Sequence, residues 1–460
     1  MHSESCDVTQ ISLTSLTTDH VRLRLGTSFD ELSSEAATLK KRIGKRRVVN
    51  IHTTAHGGGV SEILKANVPM LNTLGIETSW LLLSAPPVFF QVVKRLYHAV
   101  YGRPGGGIPL DESTRHLYEE VFHIALPKLM AHVREGDIVI LHDPQTLGFA
   151  PALRELGAYV VWRLHLGTDT PNTETELARN FLGPYLDHVD ASVVLCPEFA
   201  ASWNFQMPVE AIPPSIDPRS AKNLMLDEEH VDALLDELAQ QRPPEGSAAT
   251  LAPDLFQRRY VLQVSRWDRA KGISGLLGEF SLLAKRPGSR DVDFIIAGPA
   301  PHAVADDPEG NEILAETFRI HTSLPMPIRD RVKVLLLPMD YPEHNAFLVN
   351  ALQRRASVIV QNSSAEGFGL SVTEAMWKAR PVVARRVGGI RCQIVDGESG
   401  ILIAQDAPEG TLASAISSLL EDPCAAHALG QQARCRVEER FLPDTHLSRI
   451  ISFLSRTVPA

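Results

Sequence analysis

An α/β chain of two doubly wound parallel sheets is the fold class this sequence predicts, and three observations predict it. Ten short apolar runs recur, each bounded by turn residues and followed by a helical pattern. They fall into two series, one in each half of the chain. The runs are apolar enough for strands buried on both faces, and strands that alternate with helices imply parallel pairing.

In chain order the first series is "RVVNIHT" (47–53), "SWLLLS" (79–84), "DIVILHD" (137–143), "YVVWRLH" (159–165) and "ASVVLC" (191–196). The second is "YVLQVSR" (260–266), "DFIIAG" (293–298), "VKVLLLP" (332–338), "SVIVQNS" (357–363) and "PVVARR" (381–386). Between them, residues 226–256 are charged and then rich in Pro, Gly, Ala and Ser, the composition of a connector or surface insertion. The expected organisation is a first domain over 1–225, the connector at 226–256 and a second domain over 257–440, with the terminal helix 441–460 packed back on the first domain. A chain of 460 residues is too long for one core, in line with this division.

The bulk composition excludes several classes. A net charge of −10 argues against general nucleic-acid or acidic-membrane binding and leaves room only for a local basic pocket. The N-terminus, "MHSESCDVTQISLTSLTTDH", lacks the apolar heart of a signal peptide, and no run of ~20 apolar residues is present, so a cytoplasmic protein is expected. The five cysteines are scattered with no CxxC pair and offer no zinc-ligand spacing.

In an open α/β sheet, ligands sit at the C-terminal ends of strands, so the polar residues that close each run are the candidates. "HTTAHGGGVSEIL" (52–64) ends a strand, inserts three glycines and opens a helix. Backbone N–H groups of Gly58 and Gly59 can approach an anion there, although a plain flexible turn reads the same way. "VSRWDRAKGI" (264–273) ends a strand in Arg266 and brings Lys271 after a short loop. Two cations at that place can neutralise a departing diphosphate; a solvated basic loop is the plainer alternative. "SSAEGFGLSVTEAMWKARPVV" (363–383) places Glu366 in the loop after a strand and Glu374 in the first turns of a helix. Gly367, Phe368, Gly369 and Leu370 lie at the helix start, where backbone donors can face a phosphate. Carboxylates would repel a diphosphate, so both are expected to face sugar hydroxyls, each accepting from a vicinal diol. Glu374 has an ordinary alternative in the electrostatics of a helix N-terminus.

Three further strand ends are polar. His165 closes "VWRLH", and His142-Asp143 close "ILHD". Asp143 and Gln145 are suited to sugar hydroxyls, while either histidine could be a packing residue. The "DDPEG" stretch (306–310) reads as a turn and helix cap rather than as a metal pair.

Together these pieces resemble the retaining GT-B glycosyltransferases that carry a Glu-x7-Glu motif, from about residue 45 to 440. Within them the chain is most similar to the nucleotide-sugar-dependent trehalose synthases and the related trehalose phosphorylases. The likeness rests on "HGGGVSEIL", "HDPQ", "PPSIDP", "QVSRWDRAKGI", "DDPEG", "EGFGLSVTEAMWKARPVV" and "VGGIRCQIVDGESGILI". The resemblance implies two Rossmann-like domains facing across a cleft and a nucleoside diphosphate glucose as co-substrate. Glu374 would hold the ribose, Glu366 the donor sugar, and Arg266 and Lys271 the diphosphate, with Gly58 and Gly59 approaching it. His165 would lie near the anomeric carbon and Asp143 in the acceptor region. The Val387–Ile390 turn would shape the nucleotide pocket. The activity expected is transfer of glucose to glucose, forming trehalose. A phosphorylase, another sugar or cyclitol acceptor, and more distantly an epimerase are the alternatives. Bottom-up, the chain shows no Ser-His-Asp arrangement and no strand-end Asp-x-Asp, so no protein-bound metal is expected and any Mg2+ would travel with the substrate. Partners are small sugars and nucleotides, neither nucleic acid nor membrane, and a homodimer is compatible. On the acceptor side the chain departs from the trehalose synthases, which carry an acidic residue two positions after the strand-end histidine. Gly167 stands there, with Asp169 further on.

Overall fold

The structure is a computed structural model and describes residues 6–55, 58–105, 107–240, 254–301 and 310–460. His56 and Gly57 of the glycine loop, 241–253 of the connector and the Asp306-Asp307 pair lie outside the described residues.

The chain divides into two compact units, one built of residues up to Ser215 together with Phe441–Ala460, the other of Ile216–Arg440. The first holds a seven-stranded sheet: β1 (Asp7–Gln10), β2 (Val48–His52), β3 (Thr78–Ser84), β4 (Ile138–His142), β5 (Tyr159–Leu164), β6 (Ala191–Val194) and β7 (Val209–Ala211). Their spatial order is β1-β3-β2-β4-β5-β6-β7. Only β1, at one edge, runs antiparallel. The second unit holds β8 (Arg259–Val264), β9 (Val292–Pro299), β10 (Val332–Leu337), β11 (Val358–Gln361), β12 (Val382–Arg385) and β13 (Ile401–Ile403). They form an all-parallel sheet in the order β10-β9-β8-β11-β12-β13.

All ten apolar runs are strands, and their burial is the reason. Every residue of β2 and β4 is buried, as both faces of a parallel sheet covered by helices require. Helix Phe29–Ile43 shows how the covering layer is encoded. Phe29, Leu32, Ala36, Leu39 and Ile43 recur at helical spacing and are buried, and Asp30 and Glu31 open the helix while Lys40–Arg42 close it. Gly44, at φ +65°, ends it with its N–H on the Lys40 carbonyl. Each large apolar side chain of that face contributes roughly 1.5–3 kcal/mol by leaving water. The terminal helix Pro443–Thr457 buries Leu447, Ile450, Ile451 and Leu454 in the same core. In the second unit the segment expected as a connector contains helix Glu228–Gln240. This helix is tied to helix Pro342–Arg355 by ion pairs from Arg355 to Glu228 and Asp232 and by a hydrogen-bond contact between His344 and Glu237. Among the described residues, no helix is long and apolar enough to cross a membrane.

Candidate active site

Each sheet has a topological switch point where successive connections leave in opposite directions. It lies between β2 and β4 in the first unit and between β8 and β11 in the second. The crevice beyond the strand ends at such a point is where open α/β sheets bind ligands.

In the second unit that crevice is built by two loops locked together. Lys271 ends a short 3-10 turn, Arg269–Lys271, that follows β8, and Asp268 caps the turn by accepting from the Ala270 N–H at 2.7 Å. Glu366 follows β11. Lys271 Nζ donates to both Glu366 oxygens, at 2.8 and 2.7 Å, and Ser363 Oγ donates to Oε2 at 3.1 Å. The backbones are joined as well. Asn362 Nδ2 donates to the Gly272 carbonyl at 2.8 Å, Gln263 Nε2 to the Lys271 carbonyl at 3.1 Å, and the Ser364 N–H to the Ala270 carbonyl at 2.7 Å. Gly272, at φ +64°, has no room for a side chain: a Cβ would stand 2.1 Å from the Asn362 carbonyl oxygen. Lys271 and Glu366, 95 residues apart in sequence, are therefore held as one cation–carboxylate pair at the sheet's switch point. Arg266 is exposed just past the end of β8. Gly367 and Phe368 are buried, and the half-buried Gly369 (φ +86°) starts helix Leu370–Trp377.

The Gly388-Gly389 turn presses on the same loop. Gly389 N–H donates to the Gly367 carbonyl at 3.0 Å, and a Cβ on Gly388 (φ +44°) would fall 1.8 Å from the Glu366 carbonyl oxygen. Gly388→Ala is therefore expected to displace the Glu366 loop. It should cost about 1–3 kcal/mol of stability and, if the expected sugar nucleotide is the substrate, lower its kcat/KM by ~10-fold or more. Thermal melts and donor kinetics check this, and wild-type values in both would contradict it.

Glu374 has different surroundings. It is buried, with Lys222 Nζ 3.5 Å from Oε1, and Lys378 Nζ donates to its backbone carbonyl at 3.1 Å. Burial pushes the Lys378 ammonium down to about 7, while the nearby Glu374 carboxylate works against that fall. Neither lysine was singled out in the sequence. A cavity of about 320 Å³ beside Lys378 and Arg380 opens where β11 and β12 begin, so it is not at the switch point.

In the first unit the switch point is a buried set of polar rings with the buried Arg163 close by. His142 Nε2 lies 3.0 Å from Asn50 Oδ1, and His142 Nδ1 lies 2.8 Å from His165 Nε2. Asp143 Oδ1 accepts from the His165 backbone N–H at 2.6 Å. Asp143 adopts φ +61°, unusual for a residue with a side chain, and is held there from both sides: its N–H donates to the Arg163 carbonyl and its carbonyl accepts from Trp162 Nε1. This use of its carboxylate is a positioning one. Gln145 is likewise buried, its Oε1 accepting from the Tyr97 hydroxyl at 2.6 Å. Arg163, inside β5, is buried with its Nε unpartnered, and its NH2 donates to His446 Nε2 at 3.3 Å. His446 Nδ1 in turn donates to the Pro213 carbonyl at 2.7 Å. Arg163 and Asn50 carried a signal, each a lone polar residue inside an apolar strand; His446 carried none. Gly58 precedes helix Gly59–Thr73 and exchanges hydrogen bonds with Ser61, and a Cβ there would meet open space. Asp169 lies in the loop after β5, half-buried. Gly167 has a physical reason to lack a side chain, since a Cβ would sit 2.3 Å from Cγ of the buried Phe199 ring.

Burial, and then the charge of Arg163, pushes His142, His165 and His446 below the ordinary histidine range, His446 to about 3. In the unfolded chain each titrates near ~6.5. Below that pH the unfolded chain takes up protons that the folded chain refuses, so stability falls as pH falls. Asp143 acts with opposite sign. Burial pushes its carboxyl up to about 7, so the folded chain keeps a proton the unfolded chain has lost, and that term weakens folding as pH rises toward 7. Three histidines outweigh one aspartate. The melting temperature should fall between pH of about 7.5 and about 5.5, and His446→Asn should flatten the slope. A slope that is level in the wild type would contradict the neutral histidines.

Residues 50–201 match the family described as trehalose synthase, N-terminal domain, and residues 255–436 match glycosyl transferases group 1. A trehalose synthase of Rubrobacter xylanophilus is 34% identical over 416 residues, covering 90% of this chain and 91% of its own. One from Pyrococcus horikoshii is 32% identical over 428 residues, covering 93% and 94%. A trehalose phosphorylase of Pleurotus pulmonarius is 24% identical and covers 89% of this chain and 56% of its own. Among solved structures, a UDP-forming trehalose-phosphate synthase from Burkholderia xenovorans superposes with a TM-score of 0.69 at 15% identity, covering 90% of this chain and 100% of its own, which supports the GT-B fold. The chain belongs to the trehalose synthase family of GT-B glycosyltransferases and is an enzyme of the hexosyltransferase class.

Proposed function

We propose that the enzyme transfers glucose from a nucleoside diphosphate glucose to glucose with retention of anomeric configuration, forming α,α-trehalose. The observation that carries this reading is the Lys271–Glu366 pair, buttressed by Ser363 and Asn362, at the β8/β11 switch point. A cation there can offset charge gathering on a departing diphosphate, and the carboxylate beside it can accept hydrogen bonds from hexose hydroxyls. Arg266 adds a second cation for the diphosphate, the Gly367–Leu370 backbone meets a phosphate at the helix start, and Glu374 takes the ribose diol. On the acceptor side His142 and His165 are held neutral, a setting suited to hydroxyl groups rather than anions. Retention without a protein nucleophile has the departing phosphate oxygen take the acceptor proton on the same face. Catalysis then rests on positioning and charge stabilisation.

The similarity to trehalose phosphorylases supports a second reading, in which inorganic phosphate replaces the diphosphate on Arg266 and Lys271. A donor-by-acceptor matrix with mass detection separates them. Uridine, adenosine and guanosine diphosphate glucose are crossed with glucose, glucose 6-phosphate, other hexoses and cyclitols. A hexose disaccharide with released nucleotide supports the synthase. Glucose 1-phosphate from trehalose and phosphate supports the phosphorylase, and a changed sugar nucleotide with no disaccharide contradicts both.

A further inference from the structure

The first unit carries a chain of hydrogen bonds across four neighbouring strands. It starts at the Ser79 carbonyl in β3, which accepts from Asn50 Nδ2 in β2 at 3.3 Å. That contact orients the Asn50 amide, so the atom it turns to His142 is the acceptor Oδ1, 3.0 Å from Nε2. His142 Nε2 must therefore carry a proton. In a neutral imidazole the other nitrogen is then a lone pair, and His142 Nδ1 is 2.8 Å from His165 Nε2. His165 Nε2 is the donor of that contact. Ring geometry agrees: the two imidazole planes are 12° apart with centroids 5.1 Å apart, so the rings meet nitrogen to nitrogen in a common plane rather than lying face over face.

We propose that Asn50 and His142 are positioning residues that fix His165 as its Nε2–H tautomer, leaving Nδ1 as the nitrogen that accepts a hydrogen bond from a ligand hydroxyl. The proposal rests on the reading of His165 as a site residue. It makes His165 an acceptor for a sugar hydroxyl and removes it from the role of acid, because its one ring proton is spent on His142. The surroundings reinforce this. Burial, then the Arg163 cation and His52, which is edge-on to His142 with centroids 6.0 Å apart, disfavour protonation of both rings, and His446 adds to this at His165. Asp143, itself pushed toward the neutral acid, spends Oδ1 on the His165 backbone.

The test compares His142→Phe, which keeps a ring without its nitrogens, with His142→Gln, whose amide can donate to Asn50 and accept from His165. The full chain is labelled with 15N-histidine, and His165→Gln identifies the His165 signals. Wild type and His142→Gln should show His165 protonated at Nε2, and His142→Phe should lose that preference. His142→Phe should lower kcat by ~10-fold or more with donor KM within ~3-fold, and His142→Gln should stay within ~3-fold of wild type in kcat. A His142→Phe enzyme with normal kcat and an unchanged His165 tautomer would overturn the proposal, as would a His142→Gln enzyme as impaired as His142→Phe. Should His142→Phe not fold, Asn50→Asp answers instead: a carboxylate on Nε2 favours the imidazolium, so the acidic limb of the kcat profile must move to higher pH, and an unmoved limb overturns the relay. A fully active His165→Ala would refute the site reading, whereas the tautomer signals report on the relay whatever that variant does.

Discussion

Lys271→Ala lowers turnover by about 10²–10³-fold, the cost typical of removing one preorganised group that meets developing charge. Two effects combine. On the proposed reading the departing diphosphate loses a cation, and Glu366 loses its two hydrogen bonds from Lys271, at 2.8 and 2.7 Å, and keeps the one from Ser363. The second effect leaves a buried carboxylate facing no ammonium, which by itself destabilises the loop. The double variant Lys271→Ala/Glu366→Gln separates them. It should recover stability lost in the single variant while turnover stays low, since the two residues are in contact and their effects are not additive. Nucleotide release, followed continuously, gives the rates, and an unchanged rate in Lys271→Ala would remove the lysine from the mechanism.

Glu366→Ala lowers kcat/KM for the sugar nucleotide by ~10²-fold or more and leaves binding of the nucleoside diphosphate alone within ~10-fold. The asymmetry follows from what a carboxylate can do at this place. It accepts hydrogen bonds from hydroxyls and offers a diphosphate nothing but repulsion. The protein should stay folded, because Asn362, Gln263 and Ser364 hold the two loops together without the Glu366 side chain. Calorimetry with the nucleoside diphosphate, set beside donor kinetics, measures both halves. Equal losses in the two would show that Glu366 supports the loop and does not read the sugar.

What could be read in the chain alone, and what could not, divides along physical lines. The ten central runs were legible because a strand buried on both faces has to be apolar throughout. The three strands that went unread are β1, β7 and β13. β1, "DVTQ", is a polar edge strand with one buried residue, and β7 and β13 are three residues each. The residues nearest the expected chemistry were legible as well. Lys271 and Glu366 are charged side chains beside glycines just past strand ends, and the fold pairs them, while Arg266 stands exposed past the end of β8. Their supports were not. Asn50 lies 92 residues from His142, and Arg163 lies 283 from His446, so only the fold brings each pair together. Asp143 and Gln145 were expected to face a sugar. Both are buried, with a side-chain oxygen of each already taken by the protein, a distinction that residue type at a strand end cannot make. Gly167 is the reverse case, an oddity in sequence that the Phe199 ring explains.

The central claim is that the donor is gripped at the β8/β11 switch point, cations on its diphosphate and a carboxylate on its sugar. A crystal structure of the enzyme with a non-transferable nucleoside diphosphate glucose analogue tests it most directly. The diphosphate should lie within hydrogen-bonding distance of Arg266 and Lys271, with a glucose hydroxyl on Glu366. Clear density for the nucleotide elsewhere, with the Lys271–Glu366 pair untouched, would contradict it.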